Sequence, residues 1–215
     1  YRASTTEASV VKALDWVIAN KDKYSIAAVA MSQGNHDLAT YNILCPKSNL
    51  IKYIDTLKSI DIPLMLPAGN NGDITRVDYP ACIPQAITVG ASASNDAIST
   101  FSNFGSVVDI FAPGTSIPST WLGVNYYAIL SGTSMAAPHV AGVIVRFLSQ
   151  YPGLSPAQVT NSIKTSSTKN LVTSAGTGSP NRLVYLTVLP DTTNVSLSVA
   201  GSARTVASRQ PITLS

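Results

Sequence analysis

Apolar residues recur at helical spacing near the start of the chain. From residue 6 to residue 20 one face collects five of them: Val10, Val11, Leu14, Val17 and Ile18. Thr6 precedes this face at the position where a hydroxyl side chain caps a helix. A second stripe follows Ser48, its predicted cap, and consists of Leu50, Ile51, Ile54, Leu57 and Ile60. Both patterns predict amphipathic helices.

The helical pattern returns in the C-terminal half. Residues 133–150 carry the strongest such pattern in the sequence, and Ser155 predicts the cap of one more helix, which runs through Lys164. Between the predicted helices, residues 26–31 form a short apolar run without alternation, which is typical of a strand covered on both faces. A second apolar run occupies residues 62–68, and further strand candidates occupy residues 86–90, 107–111 and 126–130.

Helices that alternate with short buried strands indicate an α/β fold with three layers, in which helices cover both faces of a mostly parallel sheet. In such sheets, the loops at the carboxyl ends of the strands carry the chemistry. Gly34, the turn at 69–72 and the loop at 131–134 all follow predicted strands. We therefore expect these three segments to form the functional site.

The composition changes after Pro190. Residues 191–215 have no helical pattern and are rich in Thr, Ser and Val, while residues 195–199 alternate and residues 211–214 resemble a second strand. Two strands do not bury a face by themselves. We interpret residues 189–215 as a linker and the start of a β-sandwich-like, possibly Ig-like, domain, and residues 1–188 as the α/β part.

Composition narrows the function classes. Only 12% of the 215 residues are charged, against about 25% in ordinary globular chains, and such a surface suits an extracellular protein. The net charge of +3 comes from residues spread along the chain, which argues against a nucleic-acid partner. No apolar stretch reaches the roughly 18 residues of a membrane span, so we expect no membrane partner.

Two cysteines, Cys45 and Cys82, are present without a Cys-x-x-Cys motif or a Cys/His cluster. A metal site therefore has little support. From the residues alone, the cysteines are either two small buried side chains or a disulfide.

The segment SGTSMAAPHVAG at residues 131–142 is the strongest candidate for chemistry. It places Ser134 where a glycine-containing turn meets the start of a helix. There, free backbone N–H groups and the positive end of the helix dipole face the side chain. A nucleophilic serine needs such donors, because its tetrahedral intermediate carries an oxyanion. The alternative is that this serine only caps the helix.

GTSMAAPHVAG resembles the signature around the catalytic serine of the subtilases, the family of subtilisin and proteinase K. Further similar segments occur in the family's order, at 31–34, 67–72, 79–81, 89–91, 101–105, 112–114 and 180–183. The resemblance covers about residues 7 to 188. It implies a subtilisin-like fold and a serine endopeptidase that cleaves polypeptides through an acyl-enzyme on Ser134. The AGNNG turn at 68–72 resembles the one that supplies the oxyanion-hole asparagine, here Asn70.

The resemblance also implies further sites. A substrate pocket would be walled by Ser32, Gln33 and Gly34 on one side and by Pro67, Ala68 and Gly69 on the other. Secreted subtilases carry cysteines in places similar to Cys45 and Cys82, which predicts a disulfide between them. No cofactor is required, although calcium is a candidate structural ion, with the Ala81 carbonyl at a weak site.

A general base for Ser134 is missing from the recognisable motifs. The sequence has two histidines, His36 and His139. His139 lies five positions after Ser134 on the same helix, about 140° round its axis, so it does not take the proton. His36, beside Asp37 in a loop, is the weaker alternative. The family's D-x-G and H-G-T segments are absent, so we expect them on an upstream part, without which this chain is inactive.

Two other functions remain open. A non-catalytic binding module could retain a subtilase fold. An α/β-hydrolase would place its nucleophile in G-x-S-x-G, whereas residues 132–136 read GTSMA. That class also has its acid and histidine after the serine, and here only His139 follows.

Overall fold

The helices begin and end close to where the pattern places them. The computed structural model describes residues 6–41, 45, 48–122, 126–186, 196–199 and 202–205. Its helices are α1 (Glu7–Asn20), α2 (Ile51–Ser59), α3 (Thr133–Gln150) and α4 (Pro156–Ser166). Thr6 caps α1 by accepting from the Ser9 N–H, and Ser155 caps α4 in a capping box with Gln158.

The cap predicted for α2 is wrong in detail. Its N-cap residue is Leu50, which makes no side-chain capping bond. The Ser48 hydroxyl accepts instead from the Leu50 N–H at 3.0 Å and lies 2.7 Å from the Tyr79 hydroxyl. Ser48 thus ties the approach to α2 to the strand that contains Tyr79.

Six strands form the central sheet, in the order β1-β3-β5-β6-β10-β9. Their bounds are β1 Val29–Ala30, β3 Leu64–Pro67, β5 Ile87–Ser92, β6 Ile110–Pro113, β9 Thr168–Lys169 and β10 Arg182–Leu183. All neighbours are parallel except β9 and β10. The predicted mostly parallel sheet is confirmed, although β1 covers only two residues of the apolar run at 26–31.

Helices cover both faces of this sheet. Leu64 and Leu66 point into one core with α1 and α2, whereas Met65 between them points into a second core with α3 and α4. This alternation along one strand follows from the two-residue repeat of a β-strand. Because both faces are buried, β3 and β5 consist of buried residues throughout. The three-layer α/β prediction is confirmed.

Two antiparallel pairs lie outside the central sheet. They are β2 (Asn35–Tyr41) with β4 (Arg76–Tyr79), and β7 (Ile117–Thr120) with β8 (Tyr127–Leu130). The run at 126–130 therefore belongs to an exposed hairpin and not to the parallel sheet. A hydrogen bond of 2.8 Å from the Gly132 N–H to the Gly114 carbonyl nevertheless holds the following loop at the carboxyl end of β6.

Residues 186–215 form a unit of their own. Beyond residue 186, its described part is a hairpin of β11 (Ser196–Val199) and β12 (Ser202–Thr205). The strand expected at 211–214 lies outside the described residues, and the domain boundary at 188 stays a prediction. In the described ranges, no helix combines the length and apolar character that a bilayer crossing requires.

The predicted disulfide is present between Cys45 and Cys82, whose Cα atoms are 5.2 Å apart. The Cys45 N–H also donates to the Cys82 carbonyl at 2.9 Å. Both cysteines are buried. The bridge closes the stretch of chain that includes α2, β3 and the 69–72 turn.

Replacement of glycine by alanine should have opposite effects on the stability of the fold at positions 90 and 142. A Cβ on Gly90 would lie 2.5 Å from the ring of the fully buried Phe111, so Gly90→Ala should destabilise the fold by about 1–3 kcal/mol. A Cβ on Gly142, inside α3, would meet nothing within 4 Å, so Gly142→Ala should stabilise it by up to about 1 kcal/mol. Urea unfolding of both variants tests this, and equal signs would contradict the packing described here.

Candidate active site

Ser134 occupies the first turn of α3, directly after Gly132 and Thr133. As the second residue of the helix, it has a backbone N–H without a helical acceptor. Its side chain is half-buried, and within the described residues its hydroxyl makes no hydrogen bond. The hydroxyl is thus available at the positive end of an 18-residue helix.

The carbonyl of Ser134 lacks its usual helical donor. Residue 138, four positions later, is proline and has no N–H. The Ser32 hydroxyl donates to this carbonyl at 2.8 Å, across a separation of 102 residues. The loop after β1 therefore satisfies the group that the proline leaves open, and it ties the first turn of α3 to the sheet.

The side chain of Asn70 is oriented by Thr133. The Asn70 Oδ1 atom accepts from both the Thr133 N–H and the Thr133 hydroxyl, each at 2.8 Å. The same hydroxyl accepts from the Gly69 N–H at 3.2 Å. Because Oδ1 is engaged twice, the Nδ2 donors face away from Thr133, and Nδ2 would lie 3.5 Å from a Cβ on Gly132.

Asn70 Nδ2 and the free N–H of Ser134 therefore flank the same short stretch, residues 132–134. Neutral donors fixed in this way stabilise negative charge that develops on a carbonyl oxygen, since they need no reorientation during the reaction. The arrangement suits attack by Ser134 on an acyl group.

The six predicted pocket residues come together at the edge where β1 and β3 end. Ser32, Gln33 and Gly34 leave β1, and the strands pair in parallel, so this loop lies beside the end of β3. The first three are exposed, whereas Pro67, Ala68 and Gly69 are buried. The Ser32 hydroxyl is engaged with the Ser134 carbonyl, so Ser32 has a structural contact besides its predicted place in the pocket.

Neither histidine of the described chain is bonded to the Ser134 hydroxyl. His36 Nδ1 lies 3.0 Å from the Asp78 carboxylate and 2.7 Å from Asn71 Nδ2. His139 Nδ1 lies 2.8 Å from the Met135 carbonyl on its own helix. His36 and Asp78 form a part-buried pair beside the turn that contains Asn70, so their contact helps to hold this turn in place.

Asp73 braces the loop on the other side of Asn70. Its carboxylate accepts from the Thr75 N–H at 2.8 Å and from the Arg76 guanidinium at 2.6 Å. Burial by itself raises the pKa of Asp73, but the hydrogen bonds from Thr75 and the bond and charge of Arg76 outweigh it and lower the pKa below its usual value. Asp73 is therefore ionised at neutral pH, and its bonds to Thr75 and Arg76 are intact.

The expectation of calcium at the Ala81 carbonyl stays a prediction. That carbonyl accepts from the Thr88 hydroxyl at 2.5 Å. A neighbouring cavity of about 210 Å³ has one lining carboxylate, Asp109, which is paired with Lys164 at 2.5 Å. Hard cations prefer several oxygen ligands with negative charge, and Asp109 is the one carboxylate that lines this cavity. Within the described ranges, no three His, Cys, Asp or Glu residues are grouped around a possible metal position.

Three residues without an assigned role prove central to this geometry: Thr133, Asp78 and Asn103. Thr133 and Asn103 stand inside segments that resemble the family, which was the available signal. Asp78 had none, because its partners come from three separate segments of the chain.

Comparisons with known proteins show what this chain is similar to. The profile of the subtilase family matches residues 2–185. The alkaline proteinase of Hapsidospora chrysogena is 37% identical over 86% of this chain and 45% of its own length. The extracellular serine proteinase of Thermus sp. (strain Rt41A) is 35% identical over 85% of this chain and 42% of its own.

A solved structure is also similar. The crystal structure of a cold adapted subtilisin-like serine proteinase matches with a TM-score of 0.71 and 36% identity, over 86% of this chain and 63% of that one. The chain thus spans less than half the length of these curated relatives.

The contact between Ser32 and the Ser134 carbonyl predicts a coupling with Pro138. Ser32→Ala should destabilise the parent by about 0.5–1.5 kcal/mol, the net contribution of one hydrogen bond. With Pro138→Ala, residue 138 regains an N–H that reaches the same carbonyl, so the cost of Ser32→Ala should shrink. A double-mutant cycle by urea unfolding measures this, and an equal cost in both backgrounds would show that Ser32 does not substitute for the missing helical donor.

Proposed function

The chain belongs to the subtilase family, and we propose that it is the part of a secreted serine endopeptidase that carries the nucleophile Ser134 and the oxyanion donor Asn70. The observation that carries this proposal is the pair of bonds from Thr133 to Asn70 Oδ1, each of 2.8 Å. They leave the amide N–H groups beside the first turn of α3, where Ser134 lies.

In this proposal Ser134 Oγ attacks the carbonyl carbon of a peptide bond and forms a C–O bond. The carbonyl oxygen becomes an oxyanion, and Asn70 Nδ2 and the Ser134 N–H donate to it. The proton of Ser134 passes to a base and then to the leaving amine, so that cleavage of the C–N bond leaves an acyl-enzyme. Water then releases the acyl group by the reverse sequence of proton transfers.

We propose that the base and its orienting carboxylate come from an upstream part of the catalytic domain, which would be an essential partner of these residues. The hydrogen bonds of His36 and His139 to other groups support this, as does the greater length of the relatives. Without that part, the chain would not hydrolyse peptides.

Secretion and a polypeptide substrate are part of the same proposal. The Thermus relative is an extracellular serine proteinase, and a relative from Arthrobotrys oligospora is a cuticle-degrading serine protease, 36% identical over 85% of this chain. The Cys45–Cys82 disulfide also suits an oxidising compartment.

Fluorophosphonate labelling of the protein at its full natural length tests the nucleophile. We expect one stoichiometric adduct, located on Ser134 by peptide mapping, because only an activated serine reacts. Ser134→Ala should remove it, while Ser131→Ala, three residues earlier, should retain it. A folded protein without an adduct would favour a non-catalytic binding module on the same fold.

Asn70→Asp separates the two ends of the Asn70 amide. An aspartate keeps an oxygen that accepts from Thr133, so the unfolding midpoint should change little. It replaces the Nδ2 donor with a second oxygen, so kcat should fall by at least about a hundredfold; loss of one such donor costs about a hundredfold to a thousandfold, a figure measured in a subtilisin itself. A kcat close to that of the parent, measured on a peptide anilide, would remove Asn70 from the mechanism.

A further inference from the structure

Asn103 lies in the core below the 68–73 turn, with none of its surface exposed. Its Nδ2 donates to the Ala68 carbonyl at 3.2 Å and to Asp78 Oδ1 at 3.1 Å. Its Oδ1 accepts from the N–H groups of Asn71 and Asp73, both at 3.0 Å. One side chain therefore uses all four of its hydrogen-bonding positions.

These bonds enclose Asn70. The Asn103 N–H also donates to the Gly69 carbonyl at 3.0 Å, so Asn103 holds the main chain at residues 68 and 69 before Asn70 and at 71 and 73 after it. Asn70 itself has no bond to Asn103. Its side chain is held from the opposite side by Thr133.

The approach of Asn103 requires a glycine at position 69. A Cβ on Gly69 would lie 2.2 Å from Asn103 Nδ2 and 2.5 Å from the Asp78 carboxylate. The φ of Gly69 is +116°, a value that L side chains rarely adopt. Gly69, Asn103 and Asp78 are therefore mutually dependent.

We propose that Asn103 is a positioning residue for the oxyanion donor: it fixes the main chain on both sides of Asn70, so that Nδ2 lies where the transition state develops charge. This rests on the proposed function. Thr133 sets the rotation of the Asn70 amide, and Asn103 sets the place from which that amide projects. Displacement of a catalytic group by about 1 Å costs up to about a hundredfold in rate. We therefore expect the bonds of Asn103 to residues 68, 69, 71 and 73, here called the clamp, to affect kcat.

The polarity of the Asn103–Asp78 contact provides the central test. Asn103→Asp replaces the Nδ2 donor with an oxygen that faces Asp78 Oδ1 at the 3.1 Å contact, and the two carboxylates repel. Adding Asp78→Asn reverses donor and acceptor and restores a bond between positions 78 and 103. The Ala68 carbonyl keeps a donor in both variants, because it also accepts from the residue 78 N–H at 2.8 Å. The new oxygen at position 103 faces this carbonyl at the 3.2 Å contact in both variants, so the reversed pair relieves only the repulsion with residue 78.

The experiment measures kcat, KM and the unfolding midpoint of the full-length protein on a peptide anilide. We expect Asn103→Asp to lower kcat between about tenfold and a hundredfold with little change in KM. The Asp78→Asn/Asn103→Asp variant should recover part of the loss, because it restores the bond between positions 78 and 103 but not the contacts with the Ala68 carbonyl and His36. In the Asn70→Asp background, Asn103→Asp should cost little further, because the group that it positions is already gone.

Asn181 is the matched control. Its amide also clamps a loop, with Oδ1 accepting from the Val172 N–H at 2.9 Å and Nδ2 donating to the Val172 carbonyl at 2.7 Å. It lies beside β10, away from Asn70. Asn181→Asp should lower the unfolding midpoint but leave kcat unchanged.

The outcomes separate this inference from the proposed function. A parent without turnover and without a Ser134 adduct overturns both. If the parent is active and Asn103→Asp equals it, or if its loss of kcat adds fully to that of Asn70→Asp, only the positioning role is overturned. If Asn103→Asp does not fold, the reversed pair decides: a folded, active variant supports the clamp, whereas an unfolded or equally inactive one overturns it.

Discussion

The contact between Asn70 and Thr133 joins the two parts from which the site is built. Asn70 belongs to the turn after β3, and Thr133 is the first residue of α3. Thr133 Oγ1 has one proton and gives it to Asn70 Oδ1, while its lone pair accepts from Gly69. A valine would fill a similar volume but provide neither bond. The position of Ser134 relative to the Asn70 amide therefore depends on Thr133, through this hydroxyl and through the backbone N–H that donates to the same oxygen.

The rest of the site follows from satisfying polar groups that this approach buries. The turn at 68–73 has few bonds within itself, and buried backbone groups without partners cost about 1–3 kcal/mol each. Asn103, about 30 residues further along the chain, supplies partners for the backbone at 68, 71 and 73, and the Asp78 carboxylate holds the Asn103 amide in place. On the other side of Ser134, Ser32 does the same for the carbonyl that Pro138 leaves open. The site is thus held rigid by side chains that form hydrogen bonds with backbone groups.

The fold was largely predictable because its main elements carry a local signal. The apolar stripe of α1 and the unbroken apolar runs of β3 and β5 each indicate, within a few residues, which faces of the element are buried. The hairpin strand β7 does not, because Ile117–Thr120 is mostly exposed and lacks an apolar run. Ser134 and Asn70 were predicted through motifs. Asn103 and Asp78 carry no local signal for their roles, since these lie in contacts that no local pattern encodes, although Asn103 belongs to a segment that resembles the family.

The hydrogen-bond donors of the site and its ionisable groups are different residues with different roles. The groups that would face an oxyanion, Asn70 Nδ2 and the Ser134 N–H, are neutral and do not titrate near neutral pH. The ionisable groups beside them are Asp73, Asp78 and His36, and their bonds go to Thr75, Arg76, Asn103 and Asn71. Among them, Asp73 holds the 68–73 turn through its bonds to Thr75 and Arg76. The pKa of Asp73 is lower in the folded protein than in the unfolded chain. Ionised Asp73 therefore stabilises the folded loop above its unfolded pKa, and this contribution is lost as the pH falls through the lower, folded pKa. Acid thus weakens the site by loosening the 68–73 turn.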